Sequence, residues 1–256
     1  MNKHFQQVAV VGAGAMGQGI AQMAAQAGAS VLVHDVAAGA ADKACAAILA
    51  QWKKMLDKGR LSVAELDTLQ QRLSAAKQLN ELAESDLVIE AVVENTGIKQ
   101  SLFAELEKLL SAEAVIASNT SSLSITALAA GMKHPGRFAG LHFFNPVPLM
   151  KVVEVIGGLK TSPTVTQALT DYVRHYLSQL AIETGRLPEV KVAAHLMRRL
   201  CYQNKDQLMA GVIVGGWDPV SNGAVYNIPL GGACIPMPFA LGGSGSTFIY
   251  GLVDAE

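Results

Sequence analysis

The chain has 256 residues, half of them hydrophobic, with 20 basic residues against 21 acidic ones for a formal net charge of −1. That is enough apolar material for one large or two small globular cores, and the small charge excess, with no basic stripe interleaved with aromatics, argues against nucleic acid as a partner. Polar residues after Met1 run straight into an apolar strand pattern, and no uninterrupted apolar stretch is long enough to span a bilayer, so the expectation is a cytoplasmic protein with no membrane partner.

The first apolar run starts at Gln7 and breaks after Val11 into Gly12-Ala13-Gly14-Ala15-Met16-Gly17, where a helical pattern begins at once. Strand, glycine turn and helix start in that order form a phosphate-binding unit. Gly12 allows the tight turn, Gly14 lets the backbone approach a pyrophosphate, and Gly17 lets the helix pack closely on the strand. Gly12, Gly14, Ala15, Met16 and Gly17 are therefore cofactor-binding candidates, against the alternative of a structural turn that holds no ligand. A second apolar run, Ser30 to His34, ends at Asp35, about 20 residues on, where a ribose 2′-hydroxyl needs a carboxylate partner. Asp35 would repel a 2′-phosphate, and Val36, Ala37, Ala38 and Gly39 offer no arginine to accept one. The cofactor expected is NAD rather than NADP.

Two helical patterns follow, about 38–57 and 62–79, with a basic corner at Lys53, Lys54, Lys58 and Arg60 that reads either as an anion contact or as a solvated face. A buried strand is expected over 86–93, an amphipathic helix over 98–110 and another strand over 114–118. Strands alternating with helices predict the α/β class and a Rossmann-type doubly wound parallel sheet. Ligands of such sheets sit at the carboxyl ends of the strands, which singles out Glu94, Asn95, Lys99 and the loop Ser118-Asn119-Thr120-Ser121-Ser122 by position.

Pro146 and Pro148 shape a turn between two extended segments, and that turn is expected to return Glu154 to His142. A carbinol that gives up a hydride must also lose its hydroxyl proton, which calls for a base with a pKa near the operating pH; His142 is the candidate. Glu154 would fix its tautomer and stabilise the imidazolium, while Asn145 or Ser121 would hydrogen-bond the substrate oxygen. Taken singly, His142 reads equally as a structural histidine and Glu154 as a surface strand residue.

From Val8 to about Leu169 the chain resembles the NAD-binding domain of the 3-hydroxyacyl-CoA dehydrogenases, enzymes of fatty-acid β-oxidation and of the phenylacetate and butanoate pathways. The resemblance is carried by Gly-Ala-Gly-Ala-Met-Gly-Gln-Gly-Ile at 12–20, Val-Val-Glu-Asn at 92–95, Ser-Asn-Thr-Ser-Ser-Leu at 118–123 and His-Phe-Phe-Asn-Pro-Val-Pro at 142–148. It implies His142 and Glu154 as the catalytic pair and Ser121 and Asn145 on the 3-oxygen of the substrate. Asp35 would hold the adenosine ribose, and Glu94, Lys99 and the loop to Asn119 would contact the nicotinamide half. The implied reaction oxidises a (3S)-hydroxyacyl-CoA to the 3-ketoacyl-CoA, with acyl-CoA as substrate and no metal.

In that family the domain runs on into a segment of the form Asp-x-Pro-Gly-Phe-Ile-x-Asn-Arg, which opens a helical domain that closes the acyl-CoA pocket and forms the dimer; this sequence lacks the segment. A helix and turn are expected over 171–185, a helix over 189–206, and strands over 208–217 and 224–229 around the turn signal Asp218 to Gly223. The stretch from Cys201 to Asp218, with 228–232 and 242–251, resembles the middle of a β-type proteasome subunit. Peptidase activity is not expected, because those hydrolases use an N-terminal threonine freed by cleavage after glycine, and the sequence contains no Gly-Thr pair. Residues 242–246 read as a structural turn before an anion nest, His175 and His195 as surface or packing residues, and Cys45, Cys201 and Cys234 as buried thiols. The expected division is 1–170 and 171–256, with the switch between 165 and 186 and a smaller, incomplete α+β tail whose open sheet edges invite homo-oligomerisation. The expected function is weak dehydrogenase activity; the alternatives are a noncatalytic NAD-binding or structural protein and a proteasome-assembly component without peptidase activity.

Overall fold

The computed structural model describes residues 5–148, 150, 153–184, 189–203, 211–218, 220–230 and 233–241. The chain divides into two compact units, Met1–Leu180 and Ala181–Glu256.

The first unit opens with β1 (Gln7–Val11), α1 (Ala15–Gln26) and β2 (Ser30–His34), then α2 (Ala40–Asp57), α3 (Val63–Gln71) and β3 (Leu73–Ala76). It continues through β4 (Leu87–Glu90), α4 (Thr96–Leu109), β5 (Val115–Ser118), the single turn α5 (Ile125–Leu128), β6 (Phe138–Phe143), β7 (Val153–Gly157) and most of α6 (Pro163–Thr184), which ends past the unit boundary at Leu180. The strands form one sheet in the order β3-β2-β1-β4-β5-β6-β7, parallel from β3 to β6, with β7 antiparallel to β6 at the edge. This is the doubly wound arrangement expected from the sequence. Strand β1 alternates between two cores: Val8 and Val10 pack with Ile20, Ile48 and Trp52 on one face, Ala9 and Val11 with Phe103, Ile116 and Phe138 on the other. Burial on both faces is why these strands read as unbroken apolar runs. The winding reverses between β1 and β4, so the ligand crevice lies at their carboxyl ends.

The helix expected over 62–79 stops at Gln71. Its start is the anticipated kind: Ser62 and Glu65 form a reciprocal capping box, the Glu65 amide donating to Ser62 Oγ at 3.3 Å and the Ser62 amide to Glu65 at 2.7 Å. Leu73–Ala76 instead pairs parallel with β2, from Val31 opposite Leu73 to His34 opposite Ala76; an open sheet edge overrides the helical preference of its alanines. The strand expected over 86–93 pairs only through Leu87–Glu90, which leaves Ala91 to Val93 as loop above the sheet. The helix expected from 171 begins at Pro163, a residue pre-set for the first helical turn. His175 packs against α1, its Nε2 3.2 Å from the Ala27 carbonyl, and His195 is exposed. Cys45 and Cys201 are buried as expected, whereas Cys234 is only half-buried. Among the described residues, no helix is long and apolar enough to cross a membrane.

The second unit contains α7 (Val190–Gln203), β8 (Val212–Gly216), β9 (Ala224–Ile228) and β10 (Ile235–Met237), with an antiparallel sheet in the order β10-β9-β8. The hairpin turn falls where Asp218 to Gly223 placed it, and Asn222 and Gly223 adopt φ of 57° and 141°, values that favour these two residue types. Strand β10 escaped the sequence reading because of Pro236, which an edge strand tolerates. Residues 242–246 and the start of the expected strand at 208 lie outside the described residues.

Asp218 organises this unit. Its Oδ2 accepts from the Val190 amide at the start of α7 at 2.9 Å, and its Oδ1 accepts from the Val220 and Ser221 amides at 2.8 and 2.7 Å. The Val190 bond foremost, then that from Ser221, holds its carboxyl below the usual aspartate range. A depressed folded-state pKa contributes stability above the unfolded value that is lost as pH falls through the folded value. Protection of the Val190 amide against hydrogen exchange is therefore expected to fall on acidification, and Asp218→Asn should be less protected at neutral pH with that acid dependence gone; an unchanged acid profile in the variant would contradict this.

Candidate active site

The glycine turn between β1 and α1 is tied down from below. The Gly12 amide donates to the His34 carbonyl at 2.8 Å, and the Ala13 amide to Asp35 Oδ2 at 2.7 Å. Asp35 Oδ1 accepts from the Ala37 amide at 2.8 Å. Each carboxylate oxygen has two acceptor sites, so Asp35 retains capacity for ribose hydroxyls while fixing the turn. Gly12 has φ +108°, and a Cβ there would lie 2.5 Å from the Ala91 carbonyl oxygen. A Cβ on Gly17 would lie 1.7 Å from the Gly12 carbonyl oxygen, so α1 closes directly on the turn.

Gly14 differs from both. A Cβ there would have no protein atom within 4 Å, so its face is open, and as N-cap of α1 it provides no side-chain cap. Helix α1 also has no acidic residue in its first turn. Its N-terminal amides and positive dipole end thus suit an anion, and Ala15, Met16 and Gly17 are the residues whose amides would meet it. Beside this turn lies a cavity of about 570 Å³ walled by Gly12, Gly14, Asp35, Val92, Ile98 and Leu102, within the range of small-molecule sites. These residues fit a dinucleotide.

A second cavity, of about 330 Å³, brings Met16, Glu94, Asn119, Ser121, His142 and Asn145 together. His142 also lines a neighbouring cavity of about 360 Å³ that includes Ser122, Glu154 and Ile156. Antiparallel pairing of β6 and β7 sets His142 opposite Glu154, which puts both side chains on one face. His142 Nδ1 lies 2.9 Å from Glu154 Oε2, and the His142 ring stands 4.6 Å from that of Phe144. The turn does return Glu154 to His142.

Beneath the cavity is a charged floor of Glu90, Lys99 and Glu94, of which the sequence points to Lys99 and Glu94 but not to Glu90. Glu90, fully buried at the end of β4, accepts from Lys99 Nζ and Ser118 Oγ, each at 2.6 Å, and from the Val92 amide at 2.7 Å. A carboxylate inside an apolar strand run must be paired; that was the available signal, at the end of Leu87-Val-Ile-Glu90. Lys99 is buried too, and its ammonium also lies 3.1 Å from Glu94 Oε2. The structure therefore seats Lys99 behind Glu94, where its charge is engaged, away from the cavity wall. Glu94 Oε1 accepts from the Thr120 hydroxyl, the Ser121 and Ser122 amides at 3.1 and 3.3 Å, and the Ser122 hydroxyl at 3.2 Å. Burial pushes the Glu94 carboxyl up, but the bonds from Thr120 and Lys99, the Lys99 charge and the Ser122 amide outweigh it and hold the pKa at about 2.

Two other positions singled out in the sequence, Asn95 and the cavity-lining Asn119, make bonds that hold the local fold. Asn95 caps α4, its Oδ1 accepting from the Ile98 amide at 3.0 Å, and Asn119 Oδ1 accepts from the Phe143 amide at 2.8 Å, joining the ends of β5 and β6. The basic corner of Lys53, Lys54, Lys58 and Arg60 is exposed. Burial first, then the Asp42 charge, pushes the Cys45 thiol up to about 11, which leaves it unreactive.

A sheet wound in this order, with an open glycine-lined helix N-terminus at its switch point, is that of a dinucleotide-binding protein. Residues 7–186 match the family model described as 3-hydroxyacyl-CoA dehydrogenase, NAD binding domain; the chain belongs to that family, and its cofactor is NAD. It is 43% identical over 168 residues to the 3-hydroxyadipyl-CoA dehydrogenase of Escherichia coli, a match covering 66% of this chain and 35% of that protein. The crystal structure of 3-hydroxybutyryl-CoA dehydrogenase from E. coli matches with a TM-score of 0.67 and 35% identity, over 81% of this chain and 44% of that one. Residues 155–256 match the model of a proteasome subunit. The likeness there is 56% over 91 residues to proteasome subunit beta type-6 of Dictyostelium discoideum, 36% of this chain and 42% of that protein. The chain spans less than two thirds of the length of the curated dehydrogenases it matches.

Proposed function

We propose that residues 1–170 form an NAD-dependent 3-hydroxyacyl-CoA dehydrogenase site, joined between about 165 and 186 to a proteasome β-like segment. The observation that carries this reading is the His142–Glu154 pair, 2.9 Å apart, at the edge of a cavity shared with Ser121 and Asn145 and adjoining the dinucleotide crevice. NAD, when bound, supplies the acceptor for the hydride that leaves the carbinol carbon. With Nδ1–H donated to Glu154, Nε2 of His142 is the ring nitrogen that takes the carbinol proton. The ring becomes imidazolium as it does so, and Glu154 stabilises that charge and holds the tautomer. The Ser121 hydroxyl and Asn145 carboxamide hold the substrate oxygen while charge develops on it. Gly14, the first amides of α1 and Asp35 hold the pyrophosphate and the adenosine ribose.

Incubation with NAD and (3S)-hydroxybutyryl-CoA is expected to yield NADH and acetoacetyl-CoA in equal amounts, with the (3R) isomer inert; no product from either would overturn the reading. Turnover is proposed to be slow, because the residues that follow directly are not the helical segment that positions the thioester, and a misplacement of about 1 Å costs on the order of 100-fold. Asp35→Ala removes a charged partner of the ribose and of the Ala13 amide together. A titration should show NADH affinity lower by roughly 10- to 100-fold; undiminished affinity would remove Asp35 from the site. The likeness of residues 155–256 to a proteasome subunit supports a second reading, an assembly component without peptidase activity, which co-migration with a ring of such subunits and no NADH binding would select.

A further inference from the structure

The charged floor does more than hold a loop. Two carboxylates, Glu90 and Glu94, share one ammonium, Lys99. Glu90 and Lys99 are both buried and lie 2.6 Å apart, so they neutralise each other, and the surplus negative charge falls on Glu94. Glu94 is 37% exposed and faces the cavity with Asn119, Ser121 and His142. None of the described residues lining that cavity is a lysine or arginine.

The hydride and the proton leave the same carbinol group. If His142 takes the proton, the cofactor ring that takes the hydride must lie against the cavity that His142 lines, and Glu94 is part of its wall. Met16, from the first turn of α1, lines it too, which connects it to the pyrophosphate position. The ring is cationic in NAD and neutral in NADH. We propose that the Glu90–Lys99–Glu94 cluster biases this cleft toward the oxidised dinucleotide over the reduced one, through the unbalanced charge of Glu94. This rests on the dehydrogenase reading only for the placement of the ring beside His142. Glu94 stays ionised down to pH about 2, so the bias persists across the working pH range.

The test is a pair of equilibrium titrations, NAD and NADH, on the wild-type chain and on Glu94→Gln and Glu94→Asp, with no acyl-CoA present. Glu94→Gln leaves Glu90 and Lys99 as a neutral pair, and the ratio of NADH to NAD dissociation constants is expected to fall by about tenfold, a discounted value for a unit charge near contact in a half-exposed setting. Glu94→Asp keeps the charge and should keep the ratio even if both affinities drop, because a loop displaced from Ser121 weakens both forms alike. An unchanged ratio in Glu94→Gln, or an equal fall in Glu94→Asp, overturns the inference. If the wild-type chain binds neither form, the inference fails together with the NAD site itself. If the ratio shifts in a chain that turns over no acyl-CoA, this inference stands and the dehydrogenase reading fails.

Discussion

His142→Ala is expected to lower the rate of acetoacetyl-CoA reduction by about 10³-fold while leaving NADH affinity unchanged. The separation follows from position: His142 stands at the carboxyl end of β6 and lines a different cavity from the one walled by Gly12, Gly14 and Asp35, so its loss removes proton transfer without touching the pyrophosphate or adenosine contacts. General acid–base groups contribute about 10²- to 10⁴-fold. Glu154→Gln retains a hydrogen-bonding partner at 2.9 Å but cannot neutralise an imidazolium, so its rate should fall between wild type and His142→Ala, as expected of a group that acts through the ring. The ring is half-buried and borders solvent rather than core, so His142→Ala should fold normally. Equal activity in His142→Ala and wild type would remove the pair from the chemistry.

Gly17→Ala should disable the cofactor domain as a whole. The added methyl would stand 1.7 Å from the Gly12 carbonyl oxygen and 2.9 Å from its carbon, and these are backbone atoms that no rotamer change can move. Either α1 shifts or the turn opens, a strain of about 3 kcal/mol that should lower Tm by about 10 °C and abolish tight NADH binding. Gly14→Ala is the informative partner. Gly14 has φ −69°, which alanine adopts freely, and open space where the methyl would go, so Tm should not change. The same methyl enters the space through which a pyrophosphate approaches the helix N-terminus, and NADH affinity should fall by about tenfold or more. Wild-type binding by Gly14→Ala would place the phosphates elsewhere; a lowered Tm would show that the position is structural.

The fold was legible where burial on both faces forced continuous apolar runs and where turn chemistry is stringent. Gly12 with its positive φ, Asp35 at the end of β2 and the Asp218–Gly223 hairpin are of this kind, because few residues serve at such points. Leu73–Ala76 was not legible, since a four-residue strand of leucine, serine and alanine has no pattern of its own and exists only because β2 offers an unpaired edge. The residues gathered around the cavity, and Glu154 as the partner of His142, were readable from their position around strands, but the partners of Lys99 and Glu94 were not. Lys99 was expected to face the cofactor; burial reveals a residue committed to Glu90 and Glu94. Glu90 passed unnoticed inside an apolar run, although a buried carboxylate there had to have a cation and donors. Register, rather than motif, brought Glu154 to His142: had β7 slipped by one residue, the two side chains would lie on opposite faces.

Dehydrogenation by this chain is tested most directly in a single turnover, with the chain loaded with NADH and mixed with acetoacetyl-CoA while NADH absorbance is followed together with the acyl-CoA product. Stoichiometric loss of bound NADH with formation of (3S)-hydroxybutyryl-CoA is expected, and no such loss in His142→Ala loaded to the same extent. Bound NADH that persists in the wild-type chain would contradict that expectation, leaving a dinucleotide-binding domain that performs no dehydrogenation.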